Sequence, residues 1–369
     1  MSDAEPLPID DVLEDIASTL KAGNRLVVSA PPGAGKTTRV PLRLFNEDWC
    51  SGSRLILIQP RRIAARAAAE RMAATLGEKV GETIGLRTRL DVRISNATRV
   101  EVVTDGVFTR QILSDPGLEG TACVIFDEFH ERSLDADEGM ALALDAQAIL
   151  RSDLRLVIMS ATLPEQIGTT FFPSPIICSD GRMHPVETRY LGWSRAEPIE
   201  RQAASAIRKA LMEETGSILA FLPGAAEIRR TIEHLAPLPH DTVVTPLFGG
   251  LTPAEQAAAI APAPPGTRKI VVATDIAESA LTIEGVRVVV DAGYARRPRF
   301  DPVVVATRLE TVRLSRANAD QRRGRAGSRA DQRRRRGRGA RLFGAVRVRR
   351  GQARAGRTGQ GRGRGPDHA

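Results

Sequence analysis

Cysteine is scarce in this chain. Cys50, Cys123 and Cys178 are the 3 cysteines in 369 residues, and their spacing is not that of metal ligands, so free thiols in a reducing cytoplasm are expected. No apolar stretch approaches the roughly 18 residues a transmembrane helix needs, so none is expected. The N-terminus, MSDAEPLPIDDVLEDIAS, is acidic and lacks the apolar core of a secretion signal. Lysine is missing altogether from residues 328–369. What remains is ordinary: 42% hydrophobic and 26% charged residues describe a globular chain, and the length suggests about two domains.

The absence of lysine at the C-terminus changes how the net charge is read. Residues 328–369 hold 14 Arg and 2 acids (Asp331 and Asp367), a local charge of +12, against +9 for the whole chain. The first 327 residues therefore carry −3. A pI near 10 ordinarily signals a nucleic-acid-binding surface, but here it reports on the tail alone. Arg and Gly fill 23 of those 42 positions, too little apolar surface to offset the entropy of ordering, so the tail is expected to be disordered.

Over residues 20–327 short apolar runs alternate with helix-like segments. RLVVSA (25–30), RLILIQP (54–60), VEVVT (100–104), CVIFDE (123–128) and RLVIMSAT (155–162) read as buried strands. After a Pro-rich pause at 171–190 the rhythm restarts with ILAFLPG (218–224), TVVTPLFG (242–249), KIVVATD (269–275) and VRVVVDAG (286–293). Continuous apolar strands separated by helices, such as the Ala-rich stretch 64–76, indicate parallel sheets covered on both faces. Two similar α/β domains are expected, 1–182 and 183–327, followed by the basic tail 328–369.

The segment VVSAPPGAGKTT lies between a strand and a helix, the setting of a phosphate-binding loop. Gly33 and Gly35 allow the backbone N–H groups to turn inward. Lys36 supplies a charge for β- and γ-phosphates, and the Thr37 hydroxyl is a Mg²⁺ ligand. Ala34 and Thr38 complete the expected cradle, and Ala30 stands where the general pattern has its first Gly. CVIFDEFHERS then puts Asp127 and Glu128 at the end of an apolar strand. Such a site needs one carboxylate to hold the metal and another to polarise the attacking water.

Asp127-Glu128-Phe129-His130 resembles the signature tetrad of the DEAH-box RNA helicases. Other blocks agree in order: QPRRIAARAAAER (59–71), VTDGV (103–107), SAT (160–162) and ATDIAESALTIEGVRVVVDAGYAR (273–296), in which Asp275 replaces the usual Asn. The Ala-Pro-Pro-Gly loop and Phe129 are similar to the bacterial HrpB-type subgroup. The resemblance implies two RecA-like domains of the superfamily 2, P-loop NTPase class, with ATP (or another NTP) and Mg²⁺ between them and RNA crossing their tops. Lys36, Thr37, Asp127 and Glu128 would be the first domain's catalytic set, with Thr37 and Asp127 on the metal. His130 and the Ser160–Thr162 pair would link nucleotide state to domain movement. Arg71 and Tyr294 would sandwich the base, with Asp275 beside the nucleotide, and stacking alone explains a loose choice of base. Arg61, Arg62, Thr104, Gly106 and Thr282 would hold RNA, whose phosphates a sequence-blind motor must grip. Residues 296–315 resemble the β-hairpin used near a duplex junction. Single-stranded or partly duplex RNA is the partner implied, no membrane association is expected, and a monomer is expected.

The sixth motif of the family reads Gln-Arg-x-Gly-Arg-x-Gly-Arg. Gln321, Arg322, Gly324, Arg325 and Gly327 match, but Ser328 holds the eighth place. Gln321 and Arg325 are the catalytic residues carried over. The missing arginine is normally a second finger on the γ-phosphate, and such a finger is worth about 10³–10⁵ in rate. Arg329 lies one residue late, rotated by about 100° on a helix. Two accounts of the tail stand: an Arg/Gly-rich RNA-binding arm, or a reading-frame change in a GC-rich gene, which the lysine-free composition favours. The expected function is thus an ATP-dependent RNA helicase. Its alternative is a hydrolysis-impaired remnant that still binds ATP and RNA. A DNA-directed motor of the same superfamily is a third reading.

Overall fold

The computed structural model describes residues 6–161, 172–179, 186–192, 194, 196–278, 283–301, 306–327 and 340–344. The first sheet contains β1 (Arg25–Ser29), β2 (Arg54–Gln59), β3 (Ile84–Arg87), β4 (Val92–Arg93), β5 (Val100–Thr104), β6 (Thr121–Phe126), β7 (Arg155–Ser160) and β8 (Ile176–Cys178). Their order is β4-β3-β5-β2-β6-β7-β1-β8, and only the β3–β4 pair is antiparallel. Helices α1 (Leu13–Ala22), α2 (Lys36–Leu44), α3 (Arg62–Leu76), α4 (Asp105–Ser114) and α5 (Leu134–Ile149) cover its faces. Two apolar cores result, one on each face, with Leu26, Val28, Leu55 and Leu57 in one and Val27, Ile56, Ile58 and Phe126 in the other. Alternate residues of the same strands feed opposite cores, the reason these strands read as unbroken apolar runs.

The second sheet is wholly parallel. It orders β11 (Thr242–Leu247), β12 (Arg268–Ala273), β10 (Ser217–Phe221), β13 (Val286–Asp291), β16 (Ala340–Gly344) and β9 (Val186–Tyr190). Helices α6 (Ile199–Glu213), α7 (Ala225–Leu235), α8 (Pro253–Ile260) and α9 (Arg316–Gly324) accompany it. Between β13 and α9, β14 (Tyr294–Asp301) and β15 (Ala306–Arg313) form an antiparallel hairpin, where the sequence placed one. Local chemistry sets several helix ends. Ser133 caps α5, Ser315 caps α9, Thr252 and Glu255 form a capping box on α8, and Gly77 closes α3 in the left-handed region at φ 75°.

Two expectations change. The pause at 171–190 contains two strands, β8 and β9, one in each sheet. Both are short and half-exposed at sheet edges, so neither has the buried apolar signature that identified the others. The second concerns the tail. The flanking arginines argue against a strand at Leu342-Phe343, yet Ala340–Gly344 pairs in parallel with β13 on one side and β9 on the other. Insertion between two strands satisfies backbone donors and acceptors on both edges, and that gain does not depend on the composition around it. The remainder of 328–369 lies outside the described residues.

The lobes meet along α3. Ile63 and Ala67 of the first lobe pack against the second lobe's core beside Ile276 and Ala277.

Candidate active site

In the first sheet β7 separates β1 from β6. The loop after β1 and the acids after β6 therefore start about 10 Å apart, two strand spacings, and side chains must close the gap above the end of β7. The loop begins with the Ala30 N–H donating to the Ser160 carbonyl at 3.0 Å, which ties it to β7. Gly33 and Gly35 sit at φ 81° and 94°, a region costly for any L side chain. A Cβ on Gly35 would also lie 2.6 Å from Leu7 Cδ1. These turns bring the uncapped N-terminus of α2 over the sheet edge, an arrangement that favours anions.

Lys36 and Thr37, the first residues of α2, reach across to the acids. Lys36 Nζ lies 2.8 Å from Glu128 Oε1, both side chains 4% exposed. The Thr37 hydroxyl donates to Asp127 Oδ2 at 2.5 Å, and Gln59 Nε2 donates to the same oxygen at 2.8 Å. Glu128 adopts φ 50°, a strained left-handed turn that directs its carboxylate back over the strand end. Its Oε2 is buried without a hydrogen-bond partner, 3.5 Å from His130 Nδ1. Burial pushes Asp127 up to about 6, against the pull of Lys36. Burial acts likewise on Glu128, but the charges of Lys36, His130 and Arg325 outweigh it and hold that carboxyl below its usual range. Lys36 is held above its usual range because the two carboxylates overcome its own burial.

His130 joins the lobes. Nδ1 faces Ser160 Oγ at 3.3 Å, while the Gln321 side-chain amide of α9 contacts Nε2. Burial keeps this imidazole below its ordinary pKa, opposed by Glu128. One turn on, Arg325 opens a 3₁₀ turn (Arg325–Gly327) and is 5% exposed. Its Nε and Nη2 donate to the Glu278 carbonyl at 2.9 and 2.7 Å. Arg322 is fully buried: Nε lies 3.0 Å from Glu278 Oε2, Nη1 lies 2.9 Å from Asp291 Oδ1, and the guanidinium sits 4.6 Å over the Phe221 ring.

Lys36, Thr37, Asp127, Glu128, His130 and Gln321 thus form one connected set. Arg71 is exposed on α3, and Tyr294 is half-buried at the start of β14. Arg62 is exposed, Thr104 is half-buried at the end of β5, and Gly106 lies against Asp135. Arg61 pairs with Glu131 at 3.1 Å and donates to the Asp275 carbonyl of the other lobe at 2.7 Å. Thr162, Thr282, Ser328 and Arg329 lie outside the described residues. The sequence reading did not single out Gln59, Glu278, Arg322 and Asp291 as site residues. For Asp291 the signal was an acid at the end of an apolar strand, the same cue that identified Asp127, whereas Glu278 follows the Asp275–Ala277 turn and carries no such mark.

A phosphate loop and acid pair on one RecA-like lobe, facing a Gln- and Arg-bearing helix on a second, define a two-lobed helicase core. Residues 12–170 match the family described as DEAD/DEAH box helicase, and residues 202–330 match the helicase conserved C-terminal domain. The chain belongs to the DEAD/DEAH box helicase family and groups with its bacterial HrpB type. It is 48% identical over 323 residues to the ATP-dependent RNA helicase HrpB of Escherichia coli (strain K12), covering 87% of this chain and 40% of that protein. It is 36% identical over 333 residues to the pre-mRNA-splicing factor ATP-dependent RNA helicase prp22 of Schizosaccharomyces pombe (strain 972 / ATCC 24843), covering 88% of this chain and 28% of that protein. The crystal structure of the Escherichia coli DEAH/RHA helicase HrpB superposes with a TM-score of 0.85 at 44% identity, over 93% of this chain and 43% of that one. The chain therefore spans about two-fifths of the HrpB relative's length.

Proposed function

We propose that this chain is the motor of an ATP-dependent RNA helicase, with domains 1–182 and 183–327. The observation that carries the reading is the convergence of Lys36 on Glu128 at 2.8 Å and Thr37 on Asp127 at 2.5 Å, with Gln321 reaching the same cluster from the opposite lobe. ATP phosphates are received by the Gly33–Gly35 turn and the N-terminus of α2 (Ala34 to Thr38), where they draw Lys36 away from Glu128. Mg²⁺ fits the donor set, since a hydroxyl and a carboxylate oxygen that already converge are the sparse, hard ligands this ion takes alongside substrate phosphates. Bound there, it would supply positive charge to offset that building on the phosphates. Thr37 and Asp127 would hold it.

Glu128, relieved of Lys36, orients the attacking water with a carboxylate whose second oxygen accepts no hydrogen bond. His130 reports that change to Gln321. Arg325 leaves the Glu278 carbonyl for the γ-phosphate. Arg71 and Tyr294 bracket the base, and Asp275 sits at that side of the second lobe. RNA lies over Arg61, Arg62, Thr104, Gly106 and Thr282. We further propose a cytoplasmic monomer.

A second reading is a hydrolysis-impaired remnant. Ser328 replaces an arginine finger, and Arg325 is held by two hydrogen bonds to the Glu278 carbonyl. Phosphate release with and without single-stranded RNA separates the two readings, with Lys36→Ala as the control. A motor gives RNA-stimulated release that this variant abolishes, whereas a remnant gives none above it. Stimulation by DNA in place of RNA would favour the DNA-directed alternative.

A further inference from the structure

Asp275 differs from the family, which usually has Asn at this place, and the structure gives its charge partners. The residue opens a 3₁₀ turn (Asp275–Ala277) directly after β12. Its Oδ2 accepts from Nη1 of Arg297, on β14 of the hairpin, at 3.1 Å. Its Oδ1 lies 3.7 Å from Nη1 of Arg61, across the seam between the lobes. Nη1 of Arg61 also donates to the Asp275 carbonyl at 2.7 Å, while its Nε and Nη2 face Glu131 Oε2 at 3.2 and 3.1 Å. The three side chains are 24%, 40% and 22% exposed for Asp275, Arg297 and Arg61. Ile276, next to Asp275, and Ile63, two residues after Arg61, pack at the lobe contact.

Two guanidiniums converging on one pair of anionic oxygens is the arrangement proteins use to grip a phosphate. An amide at position 275 would have one oxygen and no charge; Arg61 would keep the backbone carbonyl and Glu131, but the side chain would no longer neutralise the two arginines. We propose that the Asp275 carboxylate is an internal phosphate surrogate. It clasps Arg61 of the first lobe and Arg297 of the hairpin, and an RNA backbone phosphate must displace it to engage them. The clasp rests on the RNA-binding reading above. It makes Asp275 a determinant of RNA affinity and salt response.

The test is the anisotropy of a labelled oligouridylate, without nucleotide, titrated with the full chain and its variants. Asp275→Asn frees about one phosphate contact. With a single-strand salt slope of about 0.7 per contact, it should bind about eightfold tighter at ~50 mM salt and about threefold tighter at ~200 mM. In an Arg297→Ala background the same substitution should recover less than half of that gain on a logarithmic scale. A native protein that binds no oligouridylate would overturn the RNA reading and the clasp with it. Native binding that Asp275→Asn leaves equal or weakens would overturn the clasp alone, marking Asp275 as a structural tie between lobes. A gain undiminished by Arg297→Ala would remove Arg297 from the clasp and overturn the surrogate as described.

Discussion

Replacing Arg322 by Met should damage the second lobe more than any surface change. The guanidinium has no solvent exposure, and its two acidic partners, Glu278 and Asp291, are 1% and 4% exposed. Methionine roughly preserves the apolar stem but removes the one cation that, among the described residues, pairs with both carboxylates. Breaking a buried ion pair from one side costs about 3–5 kcal/mol, because the abandoned charge remains desolvated. Set against domain stabilities of about 5–15 kcal/mol, that loss would lower the second lobe's melting transition by roughly 10–15 °C. Calorimetry should show the first lobe's transition unmoved. The loss should also depend on pH in one direction. Burial raises the Glu278 pKa, and Arg322 and Asn318 pull against it. Without Arg322 the group rises further and takes up a proton more readily, so the penalty is greatest above neutrality and shrinks as pH falls. Combining Arg322→Met with Glu278→Gln and Asp291→Asn should restore most of the stability, since a neutral cluster leaves no orphaned charge. A loss under about 1 kcal/mol for Arg322→Met, or a triple variant no better than the single one, would refute the reasoning.

Two further outcomes are expected. Ser328→Arg restores the second finger of the sixth motif and should raise the RNA-stimulated ATPase rate by about 10³-fold or more; steady-state phosphate release checks it, and no gain would mean that Ser328 is not what limits hydrolysis. Asp105, raised to about 6 by burial and by the acids Asp135 and Glu131 against a hydrogen bond from Ser133, is more readily protonated when folded than when unfolded. Its contribution is therefore fully present below about pH 4 and is lost as pH rises through about 6. Asp105→Asn keeps an acceptor for Ser133 and does not titrate, so in urea melts its stability relative to the native protein should improve by on the order of 2 kcal/mol between pH 4 and pH 8.

The fold and half of the site were legible for the same reason: both are written locally. Buried parallel strands need unbroken apolar runs, so β1, β2, β5, β6, β7, β10, β11, β12 and β13 stood out. The loop glycines and the Asp127-Glu128 pair have no comparable purpose elsewhere. What was missed depends on contacts between distant segments. Nothing near Arg322 in sequence tells that its charge is spent on Glu278 and Asp291, 44 and 31 residues away. Arg61 and Asp275 are 214 residues apart and belong to different lobes. The strand at Ala340–Gly344 was hidden because its pairing lies in the backbone, whereas the sequence reading weighed side chains.

The phosphate-seeking cations of the proposed motor share one feature. Lys36 rests on the Glu128 carboxylate, Arg61 on Glu131 and Asp275, and Arg325 on the Glu278 carbonyl. Each is already desolvated and already paired, so a ligand phosphate exchanges one anionic or dipolar partner for another. Such an exchange gains little net affinity, because the energy of the old pair is subtracted from that of the new. What it does gain is coupling, since every displaced oxygen belongs to another part of the machine. Moving Lys36 frees the carboxylate that orients water. Moving Arg325 frees the carbonyl of the residue that anchors α9. Moving Arg61 loosens the seam between lobes. A site built of exchangeable pairs therefore converts ligand occupancy into relative motion at modest energetic cost, which repeated cycles of grip and release on a strand require.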